Sequence, residues 1–133
     1  DEFMRGRDAR GIWRGAFIER MDLAYAAADV VVARSGAGTV SELCLVGKAV
    51  VFVPSPNVAE DHQTKNAMAL ADRGAALVVP DREAVARVFS EVGRLLADDA
   101  VRSEMEKNIR ALAVADSADR VADEILKVVK RSE

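Results

Sequence analysis

A run of three valines ending in a small-residue turn constrains this chain more than any other stretch. Asp29-Val30-Val31-Val32-Ala33 leads into Arg34-Ser35-Gly36-Ala37-Gly38-Thr39-Val40-Ser41-Glu42, then Leu43-Cys44-Leu45-Val46 and Gly47. β-Branched side chains lose rotamer freedom in a helix and pack well on a pleated surface, so the short valine run predicts a buried strand. Ser-Gly-Ala-Gly lets the backbone turn tightly and lets a ligand approach it closely. Thr39-x-x-Glu42 has the spacing of a capping box and predicts a helix start, with Gly47 as its left-handed stop. Strand, turn and helix in that order leave free N–H groups and the positive end of a helix dipole at the turn, a site suited to phosphate. The same pattern also serves α/β proteins as plain packing, and these nine residues alone do not separate the two readings.

The rest of the chain repeats the alternation. Met21 to Ala28 is Ala-rich with Asp22 near its start and predicts a short helix before the valine strand. Ala49-Val50-Val51-Phe52-Val53 is a second strand ended by Pro54, and Ala75-Ala76-Leu77-Val78-Val79 a third, closed by Pro80. A short strand ending at Phe17-Ile18 is expected within Gly11 to Ile18. Pro54 and Pro56 stiffen the loop after the second strand, Glu60 or Asp61 caps the following helix, and that helix runs to about Arg73 with Gly74 as its end. From Asp81 onward the pattern is helical. Val85, Val88, Phe89, Val92, Leu95 and Leu96 make one apolar stripe. Val101, Met105, Ile109 and Leu112 make a second. Val121, Ile125, Val128 and Val129 make a third, with Asp116 or Ser117 at its cap. Short buried strands separated by helices predict an α/β fold with a parallel sheet.

Composition narrows the function. A chain of 133 residues holds one domain of ordinary size, and 50% apolar with 31% charged residues is a globular balance. A net charge of −3 gives no basic footprint for nucleic acid. No apolar run approaches the roughly 20 residues of a membrane span, and no secretory signal stands at the amino end, so a cytoplasmic location is expected. The lone Cys44 has no partner for an internal disulfide and reads as a small buried residue rather than a nucleophile. One His and one Cys are too few for a metal site, nothing resembles a nucleophile with its base, and no cofactor is expected. Residues 1–16 have no period and carry Arg5, Arg7, Arg10 and Arg14. A solvated lead-in is expected there, and the absence of Met at position 1 suggests a piece of a longer chain or an added segment.

In a parallel sheet every strand-to-helix loop leaves from the same edge. The loop after Ala33 and the loop after Val53 must therefore lie side by side at the carboxyl ends of neighbouring strands, where ligands of open α/β sheets bind. That step joins Ser35–Glu42 with Asn57–Asn66 into one candidate site, suited to a sugar nucleotide. Backbone amides of Ala37, Gly38 and Thr39 suit a diphosphate. A carboxylate suits two ribose hydroxyls, and amide and imidazole side chains suit sugar hydroxyls. Each residue keeps a plain alternative. Glu42 completes the capping box with Thr39. Arg34 makes either an ion pair or a phosphate contact. His62, the only histidine, is either a polar surface residue or a base, and Gln63 and Asn66 cap or pack.

Several segments together resemble the MurG family of bacterial glycosyltransferases. They are Phe17-Ile18-x-x-Met21, Ala24-Tyr25-Ala26-x-Ala28-Asp29-Val30-Val31-Val32, Arg34-Ser35-Gly36-Ala37-x-Thr39-Val40-Ser41-Glu42, Phe52-Val53-Pro54, the trio Asp61, Gln63 and Asn66, and Ala118-Asp119-Arg120-Val121-Ala122-Asp123-Glu124. The similarity spans about residues 17 to 130. Members of that family move N-acetylglucosamine from UDP to lipid I, forming lipid II for peptidoglycan. The resemblance implies a Rossmann-like sheet of three to four strands with flanking helices, part of the carboxyl-terminal domain of a GT-B enzyme, over residues 17–133. It implies UDP-GlcNAc or UDP as ligand: Ile18 at the uracil edge, Met21 on the ring, Ala37, Gly38 and Thr39 at the diphosphate, Glu42 on the ribose hydroxyls and Gln63 on the N-acetylglucosamine. The family's other glutamine is here His62, and Gly38 stands where larger apolar residues also occur. The family's acceptor and membrane-facing domain, with its catalytic histidine, is not in this stretch, so His62 does not inherit that role. The intact enzyme would work at the inner face of the cell membrane.

Three expectations follow. The chain is the UDP-GlcNAc-binding portion of an inverting hexosyltransferase, inactive alone. Alternatively it is an inactive or engineered fold fragment whose open sheet edge drives self-association into a homo-oligomer. A third class, a nucleotide-binding regulator, stays open because fold alone does not give function.

Overall fold

The apolar runs become parallel strands. In the computed structural model, which describes residues 11–13, 15–57 and 62–113, β1 (Val30–Ala33), β2 (Ala49–Phe52) and β3 (Leu77–Val78) form one sheet in the order β1-β2-β3. Val30 lies opposite Ala49 and Ala33 opposite Phe52, while Val51 lies opposite Leu77. The helices are α1 (Met21–Ala27), α2 (Ala37–Val46), α3 (His62–Ala71) and α4 (Ala84–Ala97), with a 3₁₀ turn at Asp81–Glu83 before α4. A further helix, α5, occupies residues 99–113 of the described chain.

β2 is the centre because it is apolar on both faces. Val50 and Phe52 point into a core shared with Leu43, Ala67, Leu70 and Ile109, whereas Ala49 and Val51 point into one shared with Val79, Leu95 and Met105. Cys44 is buried in the first core, as a small apolar residue would be. Gly47 ends α2 at φ 72°, with its N–H donating to Leu43 O at 3.0 Å. Gly74 ends the turn after α3 at φ 67°.

Four local expectations need correction. Among the described residues no strand precedes β1, so the strand expected at Phe17-Ile18 is absent and the sheet has three strands. The third apolar run is strand only at Leu77–Val78. The helix after the valine strand begins at Ala37 with Gly36 as its cap, and no side chain bonds that cap, so Thr39 and Glu42 form no capping box. The first stripe of α4 divides. Val88, Val92 and Leu95 face the second core, but Val85 and Phe89 are 97% and 86% exposed. At about 100° per residue the six positions span an arc of roughly 120°, and the narrow sheet covers only one side of it. The cap at Glu60 or Asp61, the third stripe and the Ala118–Glu124 segment lie outside the described residues.

Candidate functional site

The two loops meet at the carboxyl edge of β1 and β2. Val53 N–H donates to Ala33 O at 2.9 Å, prolonging the pairing past the last strand residues. Gln63, on the first turn of α3 and only 8% exposed, then joins the loops directly. Its Oε1 accepts from Ser35 N–H at 3.3 Å and from Ser55 N–H at 2.9 Å. Ser35 is fully buried; its Oγ donates to Gln63 O at 2.7 Å, and Asn66 Nδ2 donates to Ser35 O at 3.0 Å. Thr39 and Gln63 therefore belong to one region, as parallel topology requires. Both loops are held by buried polar groups with their bonds made, the condition under which such groups stabilise rather than penalise.

Arg34 is already engaged. Its Nη1 donates to Val53 O, Pro54 O and the Asp81 carboxylate, at 3.2, 3.3 and 2.6 Å. It thus ties the ends of β1 and β2 to the 3₁₀ turn, with part of its side chain still in solvent. A groove of about 700 Å³ opens beside this tie, between Ser55, Asn57, Thr64, Pro80 and Asp81. A second, of about 430 Å³, lies along the open edge of β1 between Val32, Arg34, Val85 and Val88.

α2 presents an open N-terminus at the end of β1. The first of its amides to bond within the helix is Val40 N–H, to Gly36 O at 2.9 Å. The amides of Ala37, Gly38 and Thr39 come before it and have no acceptor in the turn. Nothing lies within 4 Å of the space a Gly38 side chain would fill. Glu42 follows on the same helix and is exposed. Its partner is one that local spacing does not reveal: Tyr25 Oη on α1 donates to Glu42 Oε2 at 3.1 Å. Burial first, then the Glu42 bond and charge, raise the Tyr25 pKa above its ordinary value of 10.0.

Met21 opens α1 and is exposed, four residues before Tyr25 and so on the same helix face. Ile18 is half-buried just ahead of it, and His62 is exposed at the start of α3. Beside Met21, Arg20 forks onto Asp22 at 3.0 and 2.8 Å and holds that carboxyl below its usual range. The Tyr25–Glu42 bond thus joins α1, which Met21 opens, to α2, and Gln63, next to His62 in the chain, comes close to the α2 cap, its Nε2 3.8 Å from where a Cβ on Gly36 would stand. Ser35 lay within the stretch already assigned to the site, whereas Tyr25 is the member that motif spacing missed. Among the described residues no three or more His, Cys, Asp or Glu gather to hold a metal ion, and no helix is long and apolar enough to cross a membrane.

Comparison with known proteins adds to this geometry. Residues 12–121 match the model of the glycosyltransferase family 28 C-terminal domain. The chain is 49% identical over 120 residues to the UDP-N-acetylglucosamine–N-acetylmuramyl-(pentapeptide) pyrophosphoryl-undecaprenol N-acetylglucosamine transferase of Parabacteroides distasonis, covering 90% of this chain and 33% of that one. It is 46% identical over 129 residues to the protein of the same name from Christiangramia forsetii, covering 97% and 35%. The crystal structure of Acinetobacter baumannii MurG superposes with a TM-score of 0.63 at 40% identity, over 71% of this chain and 27% of that one. The chain spans about a third of the length of the curated relatives it matches.

Proposed function

The chain belongs to the MurG branch of glycosyltransferase family 28, matching that family's C-terminal domain, and on this premise we propose that it binds the UDP-GlcNAc donor of an N-acetylglucosamine transferase. The observation that carries the reading is the uncapped N-terminus of α2 at the carboxyl end of β1, with Glu42 following on the same helix. Amides of Ala37, Gly38 and Thr39, with the dipole behind them, face the position of a diphosphate. Glu42 lies five residues beyond Ala37, about 7.5 Å along the axis at 1.5 Å per residue, and takes the ribose hydroxyls. Ile18 and Met21 meet the uracil, and Gln63 and His62 flank the sugar.

Transfer is inverting: the acceptor hydroxyl attacks the anomeric carbon as UDP departs. Charge then builds on the diphosphate, and donors already aimed at it lower the barrier without having to reorganise. The acceptor named in the relatives carries an undecaprenol chain, so the reaction takes place at a membrane surface, with lipid II as product. Isothermal calorimetry with UDP tests the donor reading. Glu42→Ala is expected to weaken binding about 10–100-fold, the range for lost bonds to a charged group. A folded chain that takes up no UDP would count against it.

A second reading, self-association between copies of the chain, is favoured by one feature. β1 is an edge strand whose Val32 is 46% exposed, along a groove that it lines together with the exposed Val85. Light scattering across a concentration series tests it, and a monomer throughout rejects it.

A further inference from the structure

We propose that Tyr25 is a positioning residue for the donor's ribose, acting through Glu42. The inference rests on the uridine-nucleotide reading above. The Tyr25 ring packs against the core that holds Leu43, Val50 and Phe52, so its hydroxyl is carried on a ring with little freedom. That hydroxyl donates to Glu42 Oε2 at 3.1 Å, and among the described residues it is the only partner Glu42 has. An unheld glutamate on a helix surface samples many rotamers, and fixing it on a ligand costs entropy. With Oε2 held, Oε1 of this exposed side chain keeps its lone pairs for a ligand, and the carboxylate is set for two adjacent hydroxyls before they arrive.

The type of holder matters. A lysine or arginine in the same place would neutralise the carboxylate and compete for both oxygens. A phenol donates one bond and leaves the charge in place. Its raised pKa keeps the proton on the phenol at neutral pH. The same bond docks the face of α1 that carries Met21 against α2, so the parts proposed for base and ribose are set together.

Calorimetric titration with UDP and with 2′,3′-dideoxy-UDP, on the unchanged chain and on Tyr25→Phe, tests this. Phenylalanine keeps the ring in the core, and thermal melts check that the fold persists. The unchanged chain is expected to prefer UDP, and Tyr25→Phe to reduce that preference about fivefold, the size of one ordinary hydrogen bond, with dideoxy-UDP affinity unaltered. A Tyr25→Phe chain that keeps the full preference, or that loses affinity for both ligands equally, overturns the positioning role. An unchanged chain that binds both ligands alike, or neither, overturns the ribose reading of Glu42 itself, and the two failures are read from different proteins.

Discussion

Removing the Gln63 carboxamide should loosen the join between the two loops of the site. In Gln63→Ala two backbone donors lose their acceptor. Ser35 is fully buried, so its N–H is left dry at about 1–3 kcal/mol, while half-buried Ser55 is rescued by water and costs about 0.5–1 kcal/mol. Loss of the buried methylene adds about 0.8 kcal/mol. The expected destabilisation is roughly 2–5 kcal/mol, a large part of the 5–15 kcal/mol typical of a domain. Gln63→Met separates bonding from volume: it fills the space without an oxygen and should still lose roughly 1–4 kcal/mol. Gln63→Glu keeps an acceptor for both amides and should stay within about 1 kcal/mol of the unchanged chain. Urea unfolding followed by circular dichroism reads all three, and at a slope of about 1–3 kcal/mol/M the Ala midpoint should fall by about 0.7–5 M. If Ala and Met both unfold within about 0.5 kcal/mol of the unchanged chain, Gln63 does not hold the loops, and the reasoning fails. A glutamine that served only a sugar hydroxyl would leave this assay unmoved.

Tyr25 is the only tyrosine, so ultraviolet titration should show a single phenol midpoint above 10.0, moving part-way back in Glu42→Gln because burial remains. Since the fold raises this pKa, its stabilising share is complete below pH 10 and lost as pH rises through the folded value; a midpoint at or below 10 would contradict the Glu42 bond. Gly47→Ala forces φ 72° on alanine and places its Cβ 2.8 Å from Arg110 Cγ, so a loss of at least about 1 kcal/mol is expected. Gly38→Ala meets open space in a helical position and should gain up to about 0.5 kcal/mol while keeping the backbone amide and UDP affinity. Arg34→Met should cost about 1 kcal/mol or less, and less still at high salt, because the pair with Asp81 is partly in solvent; a loss of UDP affinity instead would make Arg34 a phosphate contact.

The sheet was legible because its runs are β-branched and short, and the meeting of the two loops followed from parallel connections alone. What escaped depends on long-range partners or on coverage. Thr39-x-x-Glu42 satisfies a capping-box spacing, yet any helix contains such pairs. Here the extended Gly36, at φ −63° and ψ 152°, starts the helix at Ala37, and Glu42 turns to a phenol 17 residues earlier in the chain. Gln63 read as a capping or packing group or a sugar contact, and nothing local says that two distant N–H groups need its oxygen. In α4 the period correctly assigned six residues to one face, but a period does not say how wide a sheet lies opposite. Val85 and Phe89 are exposed because β1 ends the sheet before reaching them.

The polar groups of the site divide into two sets, and the division explains the motif better than any one residue does. Ser35, Asn66, Arg34 and the Gln63 oxygen are engaged with protein atoms. The amides of Ala37, Gly38 and Thr39 and one oxygen of Glu42 have no partner among the described residues. The engaged set lies on the turn after β1 and at the start of α3, and it fixes the relative position of the two loops. The open set lies on α2, whose direction those loops determine. A ligand that meets the open set meets groups already oriented, which is what the proposed stabilisation of a departing diphosphate requires. Substitutions in the engaged set should therefore lower stability and ligand affinity together. Those in the open set, Glu42→Ala foremost, should lower affinity while the chain melts as before.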